Sequence, residues 1–274
     1  MVGEHASMVV IQRSEPRDGV TLLRLNRPER LNAMTAELVE ALHQELAEIA
    51  VSPDIRVVIL TGEGRGFCAG LDLGGYGDAP HTAHLGRTQK GLAVQRHIAS
   101  LIGRLRGMPQ PVIAAVNGPA SGGGFALVLG SDIRLASTEA RFNAAFIRIG
   151  LSACDIGTSW LLPRIVGVAR AQELMLTGRI FDSAEAYRIG LVVEVVEPDQ
   201  LLDLALQRAE MVLANAPFGV ELTKEAMWTA LEIPGLQAAI DLENRQQIMA
   251  SATEDHREAL MAFVEKREPR FGNR

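Results

Sequence analysis

Apolar positions in this chain are spaced in two ways, and the spacing changes near residue 198. In the first part, Val112-Ile-Ala-Ala-Val116 is an unbroken apolar run, the pattern of a strand buried on both faces, and Arg56 to Thr61 reads the same way. Val20 to Asn26 alternates more loosely and stops at the turn signal Asn26-Arg27-Pro28. Thr35 reads as an N-cap, followed by Glu37 in the first turn and by Leu38, Leu42, Leu46 and Ile49 on one helical face. Leu92 to Leu105 is helical by spacing, and Asp132 to Ala136 and Arg141 to Asn143 read as short strands. Before Leu92, residues 74–90 are polar, rich in glycine and histidine and without period, which predicts a mobile surface loop.

Past Pro198 the strands stop. Leu201 to Asn215, Pro217 to Leu231, Leu236 to Ala250 and Glu254 to Arg267 all carry helical spacing. Thr253 caps the last of these, with Glu254 and Asp255 in its first turn and Lys266 and Arg267 in its last. The chain therefore divides into a mixed α/β body, residues 1–198, with a β-β-α rhythm, and a helical region, residues 199–274.

Composition narrows the function classes. The 274 residues are 47% hydrophobic and 22% charged, ordinary for a globular protein with a sizeable core. A net charge of −6 argues against a nucleic-acid-binding surface. The two cysteines, Cys68 and Cys154, match neither a disulfide framework nor a metal-ligand spacing, and His81 and His84 lack a third ligand, so no metal is expected. Glu4 and His5 interrupt the apolar core that a signal peptide needs, and no run is long enough to span a bilayer. The expectation is a soluble cytoplasmic protein.

Candidate chemistry lies where the run 112–116 ends. It breaks at Asn117-Gly118-Pro119 and reaches Gly122-Gly-Gly124 directly before an apolar helical segment starting near Phe125. Strand, glycines and helix start leave unpaired backbone N–H groups facing a ligand, with the positive end of the helix dipole behind them. Phe67-Cys-Ala-Gly-Leu-Asp-Leu73 offers a second such donor, the N–H of Leu71, after a tight glycine turn. If the N–H groups of Leu71 and Gly123 converge, they form an oxyanion hole able to stabilise a thioester carbonyl as it becomes an enolate. Taken alone, the three glycines equally permit close packing of a helix on a sheet.

In sequence order, Asn26-Arg-Pro-Glu-Arg-Leu-Asn-Ala33, Gly66-Phe-Cys-Ala-Gly-Leu-Asp-Leu73, Val112-Ile-Ala-Ala-Val-Asn-Gly118, Gly122-Gly-Gly124, Ser131-Asp-Ile-Arg134, Leu161-Leu-Pro-Arg-Ile-Val-Gly167, Leu174-Met-Leu-Thr-Gly178, Ala186 with Gly190-Leu-Val192, and Phe263-Val-Glu-Lys-Arg267 resemble the crotonase superfamily, the enoyl-CoA hydratase/isomerase family. The resemblance covers about residues 8 to 270. It implies an α/β fold, a spiral of β-β-α turns with a C-terminal helical trimerisation region, assembled as a homotrimer or homohexamer. It implies an acyl-CoA thioester substrate, with no nucleic-acid or membrane partner and no cofactor beyond the coenzyme A of the substrate. The thioester oxygen would sit between the N–H groups of Leu71 and Gly123. The CoA adenine would lie against Ala69 to Leu73, including Asp72, with Arg27 and Leu31 bordering it and Phe263 and Lys266 reaching it from a neighbouring subunit.

The sequence departs from the family at two positions. Where typical hydratases hold the attacking water between two glutamates, this chain has Ala126 and Phe146. Neither can transfer a proton, so classical hydration is not expected. One carboxylate remains, Asp155, in Gly150-Leu-Ser-Ala-Cys-Asp-Ile-Gly157. It resembles the acid that dienoyl-CoA isomerases and the epoxyphenylacetyl-CoA isomerase type place in this loop. The latter resemblance extends to Phe146 and Arg148. Apolar neighbours Ala153, Cys154 and Ile156 predict partial desolvation, which raises a carboxyl pKa. The expectation is double-bond isomerisation with Asp155 as acid and base; the alternatives are hydration or hydrolysis with a water held by Asp155 and an unnamed partner, a silent acyl-CoA-binding paralogue, or an Asp155 that only pins its loop. His97 is expected to be structural, and Cys68 a packed residue rather than a nucleophile.

Overall fold

The computed structural model describes residues 9–78 and 80–274. Met1–Met8, read above for a targeting signal, lies outside the described residues, as does Ala79 of the polar loop. The main sheet has six strands: β1 (Ile11–Arg17), β2 (Val20–Leu25), β3 (Val57–Gly62), β4 (Val112–Val116), β6 (Ile133–Ser137) and β9 (Glu194–Val196). They lie in that order, all parallel except β1, which pairs antiparallel with β2. Alternate residues of these strands feed two separate cores, which is why their sequences read as continuous apolar runs. Val58, Leu60, Val112, Ala114 and Val116 face the larger core, with Leu38, Leu42, Leu46 and Ile49 of α1 (Ala36–Ala50) and Ile98 and Leu101 of α2 (Arg87–Gly107). Val57, Ile59, Ile113 and Ala115 face the other side, where Leu201, Leu204, Ala205 and Ala209 of α7 (Leu201–Leu213) cover them. Each buried leucine contributes about 1.5–3 kcal/mol by removal from water, so both layers hold the sheet firmly.

A smaller second sheet runs beside the first: β5 (Pro119–Ser121), β7 (Arg141–Asn143) and β8 (Phe181–Asp182), in that order. Each turn of the chain contributes to the main sheet, then to the smaller layer, then to a helix. Thus β4 leads to β5 and α3 (Gly123–Gly130), and β6 leads to β7 and, after a 3-10 turn at Ala145–Ile149, to α4 (Thr158–Val166) and α5 (Val168–Thr177). The turn from β3 has no full strand in the second layer, but Cys68 forms a parallel bridge to Ala120 of β5 and takes its place. This is the spiral of β-β-α turns that the resemblance implies. The return to the main sheet goes from β8 through α6 (Ser183–Arg188) to β9.

After a 3-10 turn at Pro198–Gln200, the chain is helical: α7, then α8 (Pro217–Ala230), α9 (Leu236–Ser251) and α10 (Glu254–Glu265). The buried Lys224 of α8 fastens this region to the body, with Nζ donating to Leu105 O at 2.7 Å and Gln110 O at 2.8 Å and lying 2.9 Å from Asp132 Oδ2. Trp228 Nε1 donates to the other oxygen of Asp132 at 3.0 Å.

Some elements differ from their sequence-based bounds. β1 is an edge strand with most residues exposed, so it carries no apolar alternation to read. α2 starts at Arg87 rather than Leu92, because its first turn is polar and solvated. Residues 158–188, to which apolar spacing assigned no element, hold three short helices of six to ten residues. The two expected threonine caps are in place: the hydroxyls of Thr35 and Thr253 accept from Leu38 N and His256 N. At the other end of α10, the helix stops at Glu265. Lys266 follows in the left-handed region (φ 54°), and Arg267 pairs with Glu258 and Glu265, both at 2.6 Å, so neither cation lies in the last turn.

Candidate functional site

The segment Cys68–Asp72 is held from both sides. Ser121 N donates to Cys68 O at 2.9 Å, and Cys68 N donates to Pro119 O at 3.0 Å. On the other side, Met34 N donates to Gly70 O at 2.7 Å and Asp72 N donates to Met34 O at 2.9 Å, the pattern of a parallel bridge between Met34 and Leu71. In such a bridge the N–H of the bridged residue itself turns away from its partner. The Leu71 N–H therefore points out of the layer, and it has no hydrogen-bond partner among the described residues.

The N–H of Gly123, at the first position of α3, is likewise without a partner there. Two close approaches bring the segment Cys68–Asp72 and the start of α3 together. A Cβ on Gly124 would lie 2.0 Å from Cys68 O, so α3 can begin against this segment only with glycine at that position. A Cβ on Gly70 would stand 2.8 Å from Ser121 O and 3.4 Å from Gly123 N, so glycine, one residue before Leu71, allows this approach. Met34 Sδ and Ile156 Cδ1 flank Gly123, at 3.1 and 3.5 Å from where its Cβ would be.

Ile156 ties this place to Asp155. Ile156 has φ 46°, a conformation costly for a β-branched residue, and Gly157 follows at φ 77°. Thr158 N closes the turn by donating to Asp155 O at 2.8 Å. The Asp155 carboxyl is half-buried; its Oδ1 accepts from Ile156 N at 2.7 Å and from Gln95 Nε2 of α2. Burial pushes its pKa up, against these two donors. Of the two positions where glutamates are absent, Ala126 is fully buried, and Phe146 lies with its ring edge 3.5 Å from the Cβ position of Gly122.

The residues expected to border the ligand fall into two groups. Arg27 and Asp72 face each other, at 3.0 Å between Nη2 and Oδ2, and Arg27 also donates through Nη1 to Ala33 O. Asp72 Oδ1 accepts from Gly74 N at 2.9 Å, and with the Arg27 guanidinium this holds its carboxyl below the usual range. Ala69 N donates to Leu31 O at 2.9 Å, so Leu31 and Ala69 are joined by backbone. Leu73, by contrast, is 77% exposed. Phe263 is 84% exposed on α10, and Lys266 is exposed just beyond it. Neither makes a hydrogen bond or ion pair to residues 69–73.

Cys68 is fully buried, and burial pushes its thiol up to about 12, which removes it as a nucleophile. His97 turns to α1: its Nε2 lies 3.2 Å from Glu40 Oε2, and its carbonyl contacts His43 Nε2 at 2.9 Å. Two contributors lay beyond sequence reasoning. Gln95 stands 60 positions from Asp155, with no spacing to link them. Asn32, fully buried, donates to Gly66 O at 2.7 Å and Glu63 O at 3.0 Å; its place in the stretch Asn26–Ala33 that resembles the family was visible, its partners were not. Among the described residues no cluster of three His, Cys, Asp or Glu is placed to hold a metal ion, and no helix is long and apolar enough to cross a membrane.

Comparison with known proteins places this geometry among relatives. The family model described as enoyl-CoA hydratase/isomerase matches residues 15–274. A probable enoyl-CoA hydratase of Mycobacterium tuberculosis is 41% identical over 272 residues, 99% of this chain and 95% of the relative. The 1,2-epoxyphenylacetyl-CoA isomerase of Escherichia coli is 40% identical over 263 residues, 94% of this chain and 97% of the relative. The crystal structure of a probable enoyl-CoA hydratase/isomerase from Mycobacterium abscessus superimposes with a TM-score of 0.91 at 38% identity, covering 97% of this chain and all of that one.

Proposed function

The chain belongs to the enoyl-CoA hydratase/isomerase family, and from that premise we propose that it moves the double bond of an enoyl-CoA thioester. The ionised Asp155 takes a proton from Cα of a 3-enoyl-CoA. The electron pair passes to the thioester oxygen, where the N–H groups of Leu71 and Gly123 stabilise the dienolate. The protonated Asp155 then delivers the proton to Cγ, and the dienolate collapses to the conjugated 2-enoyl-CoA. One proton leaves and one returns, so a single carboxyl suffices and no water is consumed.

The observation that carries this reading is the partly desolvated Asp155 carboxyl, next in sequence to the residue that packs on Gly123. The apolar Ala126 and Phe146 support it, since neither can hold or activate a water. The proposed assembly is a homotrimer or homohexamer in which Phe263 and Lys266 reach the CoA of a neighbouring subunit. Met227, Leu236, Ile248, Phe263 and Val264, exposed on α8–α10, are in keeping with such an interface.

The test is turnover of 3-enoyl-CoA and 2-enoyl-CoA by wild type and Asp155→Asn. Isomerisation is expected, with a loss of about 10²- to 10⁴-fold in kcat for the variant. Faster hydration of 2-enoyl-CoA than isomerisation would move the assignment to a hydratase. Indifference to Asp155→Asn removes Asp155 from the chemistry, and CoA-ester binding without turnover of either substrate makes the protein a binding paralogue.

A further inference from the structure

We propose that Gln95 is a positioning residue that makes Oδ2 of Asp155, and not Oδ1, the atom that carries the proton; this rests on the acid/base reading above. The two oxygens of Asp155 are unequal. Oδ1 accepts from Gln95 Nε2 and from Ile156 N, the latter at 2.7 Å. Oδ2 has no partner among the described residues, yet it is not one of the sealed, unpaired polar atoms of the interior.

An ionised carboxylate only accepts hydrogen bonds, while a protonated one keeps acceptor capacity on its carbonyl oxygen. A proton on Oδ2 leaves Oδ1 free to accept from both N–H donors. A proton on Oδ1 would crowd the same two donors and force at least one to break. Asp155 can therefore take up and release a proton without rearranging its partners only through Oδ2. The Ile156 N–H fixes the near side of Oδ1 through the turn backbone, and Gln95 fixes it from α2, so two separate elements make the choice.

Among the described residues no charge competes with these donors. α3 brings no titratable side chain, Arg148 on the 3-10 turn before the loop is exposed, and Arg164 of α4 lies over the Trp160 ring at 3.8 Å. On α2, Lys90 pairs with Asp78 and His97 faces Glu40; Arg87 and Arg96 are exposed, Arg104 acts on His43, and Arg106 lies between Trp160 and Trp228. Burial, Ile156 N–H and Gln95 are what act on Asp155. Loss of the Gln95 donor must then appear in the proton affinity of Asp155.

The experiment compares wild type, Gln95→Leu and Gln95→Glu by the pH dependence of kcat/KM for 3-enoyl-CoA. Difference infrared titration of the Asp155 carboxyl, assigned with Asp155→Asn, runs beside it. The base must be ionised, so activity rises with pH through the Asp155 pKa. Gln95→Leu is expected to move that limb up by about one pH unit, a roughly tenfold loss below it, and Gln95→Glu further, since it replaces a donor with a negative charge. The infrared transition should move in step. A purely structural Gln95 would lower Tm and leave both limbs in place, and that result overturns the proposal while leaving Asp155 as the acid/base. An infrared transition that shifts without the kinetic limb overturns it through Asp155 itself. Gln95→Glu is nearly isosteric and serves where Gln95→Leu does not fold.

Discussion

The backbone amides of Leu71 and Gly123 and the side-chain carboxyl of Asp155, whose neighbour Ile156 packs on Gly123, are built on opposite principles. The amides are main chain, aimed by a bridge to Met34, by the Cys68–Ala120 bridge and by two close approaches that only glycine allows. They carry no side chain to titrate, so the fold itself sets their direction. Asp155 is a side chain on a strained turn, held by one neighbouring amide and one glutamine from another helix. A fold can therefore keep the first device while the second is exchanged, and relatives named for hydration and for isomerisation are each about 40% identical to this chain over nearly its whole length.

The strongest way to break this contrast is to add a side chain where glycine lets the Cys68–Asp72 segment approach the start of α3. Gly70→Ala puts a methyl 3.4 Å from Gly123 N and 2.8 Å from Ser121 O, at φ 91°, where L side chains are strained. If the two amides form the oxyanion hole, kcat should fall about 10²- to 10³-fold with folding retained, as measured by turnover together with calorimetric Tm. A variant that folds and keeps full kcat would take the oxyanion away from this pair.

The amide half was the more legible in sequence, and for a physical reason. A glycine marks a close approach by its own identity, whatever it meets, so Gly70 and Gly122–Gly124 could be read in place although their neighbours lie about 50 positions away, as could the apolar runs of β3 and β4. Gln95 and the Arg27–Asp72 pair could not, because their partners are 60 and 45 positions away and polar side chains at such distances leave no period. β1 and the short helices between 158 and 188 escaped for the related reason that they expose most of one face or are too brief to show a repeat.

A smaller effect sharpens the contrast, because the two aspartates should shift stability in opposite directions. Asp72 is stabilised as an anion by Arg27 and Gly74 N. Asp72→Asn gives up a charge-assisted pair worth about 1.5 kcal/mol, lowering Tm by roughly 3–6 °C at neutral pH. Asp155 is an anion held against burial. Asp155→Asn removes that cost and should raise Tm while lowering turnover, the exchange of stability for function seen where a site keeps a disfavoured charge. Calorimetry of both variants beside wild type checks the signs; a fall for both would mean that the Asp155 carboxylate helps hold its loop.

The smallest expected effect is the order in which these two differences disappear as pH falls. Asp72 has a folded pKa below its unfolded value near 3.9, so its contribution is fully present above about pH 3.9 and is lost only as pH falls through the lower folded value. Asp155 has a folded pKa above its unfolded value, so its cost to stability grows as pH rises from about 3.9 through the raised folded value. On acidification from neutral pH the Tm advantage of Asp155→Asn should therefore vanish first, above about pH 3.9. The deficit of Asp72→Asn should persist below that and close last. Tm measured against pH for the three proteins gives both curves; an Asp72→Asn deficit that closes before the Asp155→Asn advantage would reverse the assignment of which carboxyl the fold favours as an anion.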